Sequence, residues 1–154
     1  MIELDVINQE LLDVLQVEGR LSYRDLGERI GLSPPAIAER IRKLEDAGVI
    51  TGYRATVDYE RIGFPILCII RLDTTRFDQA IDDMMAAAPE IVEAHRVTGS
   101  ESHVIQARVR STAHLEDLLE RLWTHGSSVT NIVTSSPVAR RPMSVRAVMA
   151  HREP

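Results

Sequence analysis

Basic side chains recur along a short predicted helix that opens on two prolines, in the stretch GLSPPAIAERIRKLEDAG. Arg40, Arg42 and Lys43 lie within it, and Arg29 comes just before it. Between Arg29 and Lys43 these four cations are accompanied by one acid, Glu39, which gives a local formal charge of +3. Such groups bind the phosphates of a nucleic acid, and arginine also binds guanine edges. The alternative is a solvated helix face without a partner.

The two prolines bear on how this helix would contact a nucleic acid. Pro34, at the first helical position, and Pro35 fix the start of the helix and remove two amides that otherwise bind phosphate. Contacts are therefore expected from side chains, with Ala36 and Ala38 allowing close approach and Glu39 accepting from a cytosine amine. The candidate DNA-contacting residues are Ser33, Pro35, Ala36, Glu39, Arg40, Arg42 and Lys43.

The formal charge of the chain, -5 at pH 7, opposes nucleic-acid binding. Residues 1–60 contain 7 Lys or Arg and 12 Asp or Glu, whereas residues 61–154 contain 11 of each. Binding depends on the field within a Debye length of about 10 Å, so the placement of the acids matters more than their number. The acids that cluster on the first predicted helix are Glu3, Asp5, Glu10, Asp13 and Glu18. If that helix faces away from DNA, the charge of this half is segregated rather than absent.

Three short helices are predicted in residues 1–50. The first is capped by Asp5, ends by Gly19 and has one apolar face of Ile7, Leu11, Val14 and Leu15. The second starts at Ser22 and Asp25, a variant of the capping box, buries Leu26 and Ile30, and ends at Gly31. Ser33 is expected to cap the third, whose apolar positions are Ile37, Ile41 and Leu44, and which ends at Gly48. This order predicts a helix-turn-helix.

The pattern changes after residue 51. TGYRATVDY is predicted as a strand or wing that leads into a linker over 51–63. Further along, FPILCIIRL, EIVEAHRVT, HVIQARVR and SVTNIVTSSPV are predicted strands. Helices are expected between them at Phe77, Ala80, Ile81, Met84 and Met85, and at Leu115, Leu118, Leu119 and Leu122. The order β-α-β-β-α-β predicts a ferredoxin-like α+β domain over 64–140, with both helices on one face of the sheet, and a basic tail over 141–154.

The first strand of that domain is apolar on both faces. Ile66, Leu67, Cys68, Ile69 and Ile70 form an unbroken run, whereas a half-exposed antiparallel strand should alternate. Two helices on one side cannot cover the other side. A second subunit is the interpretation that we favour, and loops or the first domain are the alternative.

Composition excludes several classes of protein. With 44% hydrophobic and 27% charged residues, the chain is neither disordered nor fibrous. Cys68, the single cysteine, lies in an apolar run and is expected to be buried, so neither a disulfide nor a zinc framework is available. No cofactor is expected. No apolar run reaches the ~20 residues of a membrane span, and the acidic N-terminus does not resemble a signal peptide, so we expect a cytoplasmic protein.

Several motifs together resemble a known family. The segment from VINQELLDVLQVEGRLS through GLSPPAIAERIRKLEDAGVI to GYRA is similar to the N-terminal half of the Lrp/AsnC (leucine-responsive, feast/famine) transcription regulators. The β-α-β-β-α-β half resembles the ligand-binding module of that family. The resemblance implies a winged helix-turn-helix, a dimer formed through the second module, and assembly into tetramers or octamers that bind double-stranded DNA. It also implies that an amino acid acts as effector and shifts the assembly between oligomeric states.

The resemblance places the effector site at the turn between the middle strands, VTGSESHVIQARV. The implied residues are Thr98, Gly99, Ser100, Glu101, Ser102, His103 and Thr134. Serines replace two acids that are frequent in the family, and His103 replaces an aromatic residue, so only Glu101 is left to hold an ammonium group. A plain polar hairpin loop is the alternative interpretation, with His103 half-exposed at the start of a strand.

Two other functions stay open at this point. Siroheme decarboxylases resemble the same family, and five histidines, His95, His103, His114, His125 and His151, could serve such an enzyme, although no motif organises them. A regulatory module that binds a ligand but no DNA is the other alternative. The tail, with Arg140, Arg141, Arg146 and Arg152, is expected to bind either phosphates or the acids of another subunit.

Overall fold

A computed structural model describes residues 4–74, 79–139 and 141–150 of the chain. The chain divides into two compact units. Unit 1 comprises Met1–Thr56 together with Val138–Pro154, and unit 2 comprises Val57–Pro137. The C-terminal segment that the sequence predicted as a separate basic tail thus groups with the N-terminal helices.

Helix α1 (Val6–Val17) and helix α2 (Tyr23–Ile30) start at side-chain caps. Asp5 accepts a hydrogen bond from the backbone amide of Asn8 at 2.7 Å. Ser22 and Asp25 form the predicted capping box at the start of α2. Gly31 ends α2 with φ +82°, a left-handed conformation that favours glycine.

Helix α3 (Pro34–Asp46) starts at Ser33, but the Ser33 side chain makes no capping hydrogen bond, contrary to the sequence prediction. Pro35 at the second helical position removes one of the two amides that a capping hydroxyl can bond, and the other, that of Ala36, forms no such bond with Ser33. Backbone hydrogen bonds stabilise the C-terminal end of α3. The Val49 amide donates to the Leu44 carbonyl at 2.9 Å around Gly48, which has φ +67°, and this is a Schellman motif.

The core of unit 1 holds the three helices together. Its buried side chains are Leu11, Leu12, Leu26, Ile37, Ile41 and Leu44. Leu12 is buried where the sequence pattern had placed Ile7, which is half-buried. The turn between α2 and α3 passes so close to Gly27 that an added Cβ would overlap the Leu32 carbonyl, so this position requires glycine.

The strand predicted over TGYRATVDY is not formed. Residues 51–58 have no regular secondary structure, and residues 59–63 form a turn. A β-prone segment becomes a strand only where a neighbouring strand exchanges hydrogen bonds with it, and none pairs with this segment in the described chain.

Unit 2 is the predicted β-α-β-β-α-β arrangement. Its elements in chain order are β1 (Ile66–Thr74), α4 (Gln79–Ala87), β2 (Ile91–Arg96), β3 (His103–Val109), α5 (Thr112–Trp123) and β4 (Gly126–Ile132). The four strands form one sheet in the order β2-β3-β1-β4, and all neighbouring strands are antiparallel. Phe77, which the sequence assigned to the first of these helices, lies outside the described residues.

Both helices of unit 2 cover the same face of the sheet, as predicted. Cys68, Ile70 and Leu72 of β1 point into a core that also contains Ile81 of α4 and Leu118 of α5, all at least 99% buried. Strand β3 contributes every second residue to this side, because burial alternates strictly along it.

The opposite face of the sheet is open in the single chain. Leu67 and Ile69 of β1 are half-buried, and Val129 of β4 is 53% exposed. Ile69 pairs with Gln106 on one side and with Asn131 on the other, so apolar and polar side chains are mixed on this face. The doubly apolar strand inferred from the sequence is confirmed.

The last strand is shorter than predicted. It ends at Ile132, and after one further hydrogen bond, from the Val133 amide to the Leu67 carbonyl, the chain becomes irregular. Thr134 therefore lies beyond the strand and is exposed, whereas the sequence had placed it within the strand. The pairing with β1 stops at Cys68↔Ile132, so Thr134, whose position in the register is opposite Ile66, lies beyond the paired residues.

Candidate DNA-binding ridge and effector loop

The side of α3 that points away from the core carries a row of exposed residues. Pro35, Glu39 and Arg42 follow one another at helical spacing, opposite the buried Ile37 and Ile41. We call these three residues the α3 ridge. Lys43 and Ser33 are also exposed, and Ala36 is half-buried beside the ridge. Six of the seven candidate DNA-contacting residues thus lie on or beside one accessible surface.

Arg40 has a different environment. Its Nη1 atom donates to Asp5 Oδ2 at 2.7 Å and to Asn8 Oδ1 at 2.9 Å, and its side chain is only 28% exposed. The hydrogen bond from Arg40 holds the pKa of Asp5 below its usual range, so the pair is ionised at neutral pH. Arg40 therefore ties α3 to the start of α1.

Ion pairs neutralise most of the cations near the ridge. Lys43 Nζ lies 2.7 Å from Glu39 Oε1, and this contact lowers the pKa of Glu39. Arg29 pairs with Glu18 at the C-terminal end of α1, so the acids of this region are not fully segregated from the basic residues. Within the described residues, Arg42 makes no ion pair. It is thus the cation on the ridge that is most available to a phosphate.

The two compact units divide the charge differently from the two halves of the sequence. Residues 1–56 carry 7 Lys or Arg and 10 Asp or Glu, and residues 138–154 add 4 Arg and 1 Glu. Unit 1 is therefore formally neutral, and the net charge of -5 resides in unit 2. Two differences make residues 1–60 more acidic than unit 1: they include Asp58 and Glu60, which belong to unit 2, and they lack the net charge of +3 of the C-terminal segment.

The predicted effector residues divide into an exposed group and a buried group. Thr98, Gly99 and Ser100 are exposed at the tip of the β2–β3 hairpin, where Gly99 has φ +129°. Glu101 is half-buried and accepts a hydrogen bond from Ser100 Oγ at 2.7 Å. That bond lowers the pKa of Glu101, which is therefore a carboxylate at neutral pH.

Ser102 and His103 lie deeper. Ser102 Oγ accepts from the Thr74 amide at 3.0 Å and lies 3.0 Å from His103 Nδ1. His103 is 4% exposed rather than half-exposed as predicted, because the alternation along β3 turns it toward the helices. Among the described residues its Nε2 atom has no hydrogen-bond partner and lies 3.5 Å from Asp82 Oδ1.

One residue near the loop was missed by the sequence analysis. Arg71 of β1 is exposed, and its Nη1 atom lies 3.5 Å from Glu101 Oε1, which places a cation and an anion side by side at the hairpin. The sequence contained an indication of this residue, because the charged Arg71 follows the apolar Leu67 and Ile69 on the open face of β1. Without the strand pairing, its proximity to Glu101 could not be read from the sequence.

The histidines that the structure describes do not gather into one site, although His95 and His103 line a common cavity with Asp82. His114 Nε2 lies 3.1 Å from Glu90 Oε1, which Arg121 also contacts at 2.8 Å, and His95 pairs with Glu93. His151 lies outside the described residues. Over residues 4–74, 79–139 and 141–150, three or more His, Cys, Asp or Glu side chains nowhere come together as a metal site. Within the same ranges, every helix is too short or too polar to cross a bilayer.

Comparison with known proteins agrees with this architecture. Residues 4–51 match the family model for winged helix-turn-helix DNA-binding domains, and residues 67–143 match the Lrp/AsnC ligand binding domain. The uncharacterized HTH-type transcriptional regulator YezC of Bacillus subtilis is 37% identical, over 86% of this chain and 95% of that protein. The leucine-responsive regulatory protein of Haemophilus influenzae is 36% identical, over 75% of this chain and 72% of that protein.

Solved structures support the same assignment. The structure of LrpC from Bacillus subtilis superimposes with a TM-score of 0.86 at 28% identity, over 90% of this chain and 100% of that one. A feast or famine regulatory protein of Mycobacterium tuberculosis, complexed with L-methionine, has a TM-score of 0.84 at 30% identity, over 92% of this chain and 99% of that one. The chain belongs to the Lrp/AsnC family and is a helix-turn-helix DNA-binding transcription regulator.

Proposed function

We propose that this regulator binds double-stranded DNA through the α3 ridge as a homo-oligomer, and that an amino acid bound at the β2–β3 hairpin changes its assembly. The observation that carries the DNA contact is Arg42, which is exposed on the rigid helix α3 and has no ion pair within the described residues. A cation in this position gains more from a phosphate than one already paired with a carboxylate.

The ridge has the dimensions and chemistry for the major groove. The N-terminal half of α3 presents Pro35 and Ala36, whose small side chains let the backbone approach base edges. Arg42 and Lys43 contact phosphates or base edges, and Glu39 accepts from a cytosine amine if Lys43 releases it. Ser33, without a capping bond, has its hydroxyl available for phosphate. Arg40 acts indirectly, by positioning α3 on α1.

A second copy covers the open face of the sheet. Leu67 and Ile69 are only half-buried on this face in the single chain, and Val129 is 53% exposed. A two-fold interface presents the same patch from both subunits, so strand β1 would meet its own copy across the axis. Two α3 ridges on one dimer would add their phosphate contacts on adjacent half-sites.

The hairpin fits an amino acid as ligand. Glu101 and Arg71 place a carboxylate and a guanidinium together at the surface, and these are complementary to the ammonium and carboxylate of a zwitterion. A related regulator is complexed with L-methionine. Exposed Thr98 and Ser100 beside them supply further hydrogen-bonding groups. A ligand shared with a second dimer would link binding to oligomeric state.

Amino acids are expected to raise the melting temperature of the protein. By mass action, a ligand at about 100 times its Kd stabilises by ~2.7 kcal/mol, which corresponds to a shift on the order of 10 °C for a domain of this size. A thermal-shift screen of the twenty amino acids, repeated with Glu101→Gln, measures this. The expected result is a shift for one or a few amino acids that Glu101→Gln abolishes. The absence of a shift with every amino acid would contradict the effector proposal.

A further inference from the structure

The C-terminal helix α6 (Val145–Ala150) docks on α1 through a single carboxylate. Asp13 Oδ1 accepts from the Val145 amide at 2.6 Å, and Asp13 Oδ2 accepts from Ser144 Oγ at 2.8 Å and from the Arg146 amide at 3.3 Å. Asp13 thus caps the first turn of a helix that is distant in sequence, where a negative charge also favours the helix dipole.

Two further contacts hold the helix in place. Gln16 Nε2 donates to the Met143 carbonyl at 3.1 Å, and Val145 packs half-buried against the core of unit 1. Val148 is 47% exposed, and α6 contributes no fully buried side chain. A helix of 6 residues held in this way opens far more readily than the core of the unit.

The docked segment lies on the acidic face of α1. Arg146 lines a cavity of about 370 Å³ together with Glu10, Asp13 and Glu18, and with Arg29 of α2. The segment 138–154 carries 4 Arg and 1 Glu, and residues 1–56 have an excess of three acids. Residues 1–56 alone carry a formal charge of -3, and the part of the docked segment that the structure describes adds Arg141 and Arg146 and no acid.

We propose that α6 is a reversible clasp that regulates DNA binding by masking the acidic face of α1. With α6 docked, Arg141 and Arg146 offset two of the three excess negative charges of residues 1–56, in the unit that carries the α3 ridge. With α6 released, the uncompensated acids of α1 repel phosphates, and the cations of the segment no longer hold a fixed position. This regulation rests on the proposed contact between the α3 ridge and DNA.

The test compares Asp13→Ala with Glu10→Ala in the full chain. Both variants remove one negative charge from the same helix, but only Asp13 bonds to α6. Hydrogen exchange followed by mass spectrometry measures docking, and fluorescence anisotropy with a promoter duplex measures DNA affinity. In Asp13→Ala the amides of Val145 and Arg146 are expected to exchange at least about tenfold faster than in Glu10→Ala. Its DNA affinity is expected to be about three- to tenfold lower at low salt, with the difference shrinking as salt rises.

A second variant, which changes charge but keeps the docking contacts, distinguishes the masking of the acidic face of α1 from the docking of α6. Arg141→Gln combined with Arg146→Gln keeps Asp13, so it should keep α6 protected and still weaken DNA binding. Equal DNA affinity of Asp13→Ala and Glu10→Ala, or unprotected α6 amides in the wild type, would overturn the clasp. If the wild type and all variants fail to bind DNA while α6 stays protected, the DNA contact itself is wrong and the regulatory role falls with it.

Discussion

Replacing Arg42 by alanine is expected to weaken DNA binding by about tenfold or more without changing the stability of the protein. The side chain is exposed and makes no ion pair within the described residues, so its removal should leave the fold undisturbed. An arginine that contacts a base edge or phosphate contributes ~1–3 kcal/mol, which corresponds to one to two orders of magnitude in affinity. Anisotropy titrations with a promoter duplex, together with urea unfolding, measure the two quantities.

Arg40→Ala is the informative partner of this variant, because it removes the same charge two residues away. Arg40 bonds to Asp5 and Asn8, and Asn8 is buried, so this change should lower the free energy of unfolding. The effect on DNA affinity should be smaller than that of Arg42→Ala under conditions where the variant is fully folded. The reverse ranking, with Arg40→Ala more harmful to binding and harmless to stability, would contradict the assignment of the ridge.

The ion pair between Arg40 and Asp5 is expected to make the stability of the protein sensitive to acid. The pKa of Asp5 is lowered in the folded protein, so the contribution of its pair with Arg40 is fully present above the ordinary carboxylate pKa of about 4 and is lost as pH falls through the folded value. Arg40→Ala should therefore lose less stability between pH 5 and pH 3 than the wild type does. Urea unfolding of both proteins across this range measures the difference, and parallel losses would show that the pair does not contribute.

Replacing Ile69 by aspartate is expected to convert the oligomer into monomers and to reduce DNA affinity by two orders of magnitude or more. Ile69 is half-buried at the centre of the open sheet face, so a carboxylate there is tolerated by the isolated unit but would be desolvated in an interface. The fall in affinity follows from the absence of the second ridge, since linked sites gain roughly 10²–10⁴ from effective concentration. Light scattering and anisotropy on the same sample measure both effects.

Val92→Asp is the matched control for this experiment. Val92 lies on the edge strand β2, is 40% exposed and lines a cavity beside α4, away from the centre of the open face. It should keep the oligomer and its DNA affinity. If Ile69→Asp kept the oligomeric mass of the wild type, the open face would not be the interface.

Local patterns in the sequence predicted most of the fold. Capping side chains indicated the starts of α1 and α2, and glycines indicated the ends of α2 and α3, because these signals act within a few residues. The two periodicities, of helix and strand, predicted the element order of unit 2. The predictions that failed were those that depend on residues far apart in the sequence. The residues of TGYRATVDY carry no information on whether a neighbouring strand exists to pair with them. Thr134 fell outside β4 because the pairing with β1 stops at Cys68↔Ile132, which no local pattern indicates.

The candidate sites were predicted in outline only. Arg42 could be identified from spacing, but Arg40 could not be set apart from it, since its partner Asp5 lies 35 residues earlier. The burial of His103 depends on which face of β3 meets the helices, and that follows from packing. Arg71 meets Glu101 only through strand pairing. The docking of residues 144–146 on Asp13 joins the two ends of the chain and has no local signal.

The central claim, that the α3 ridge of this regulator binds DNA by its phosphates, is tested most directly by a salt titration of binding to the promoter of its own gene. For wild type, log K should fall steeply and linearly with log salt concentration. Arg42→Ala should reduce the slope by about 0.9 for each phosphate that the arginines of the bound subunits no longer neutralise. Binding that does not change with salt, or a slope that is identical in Arg42→Ala, would contradict the account.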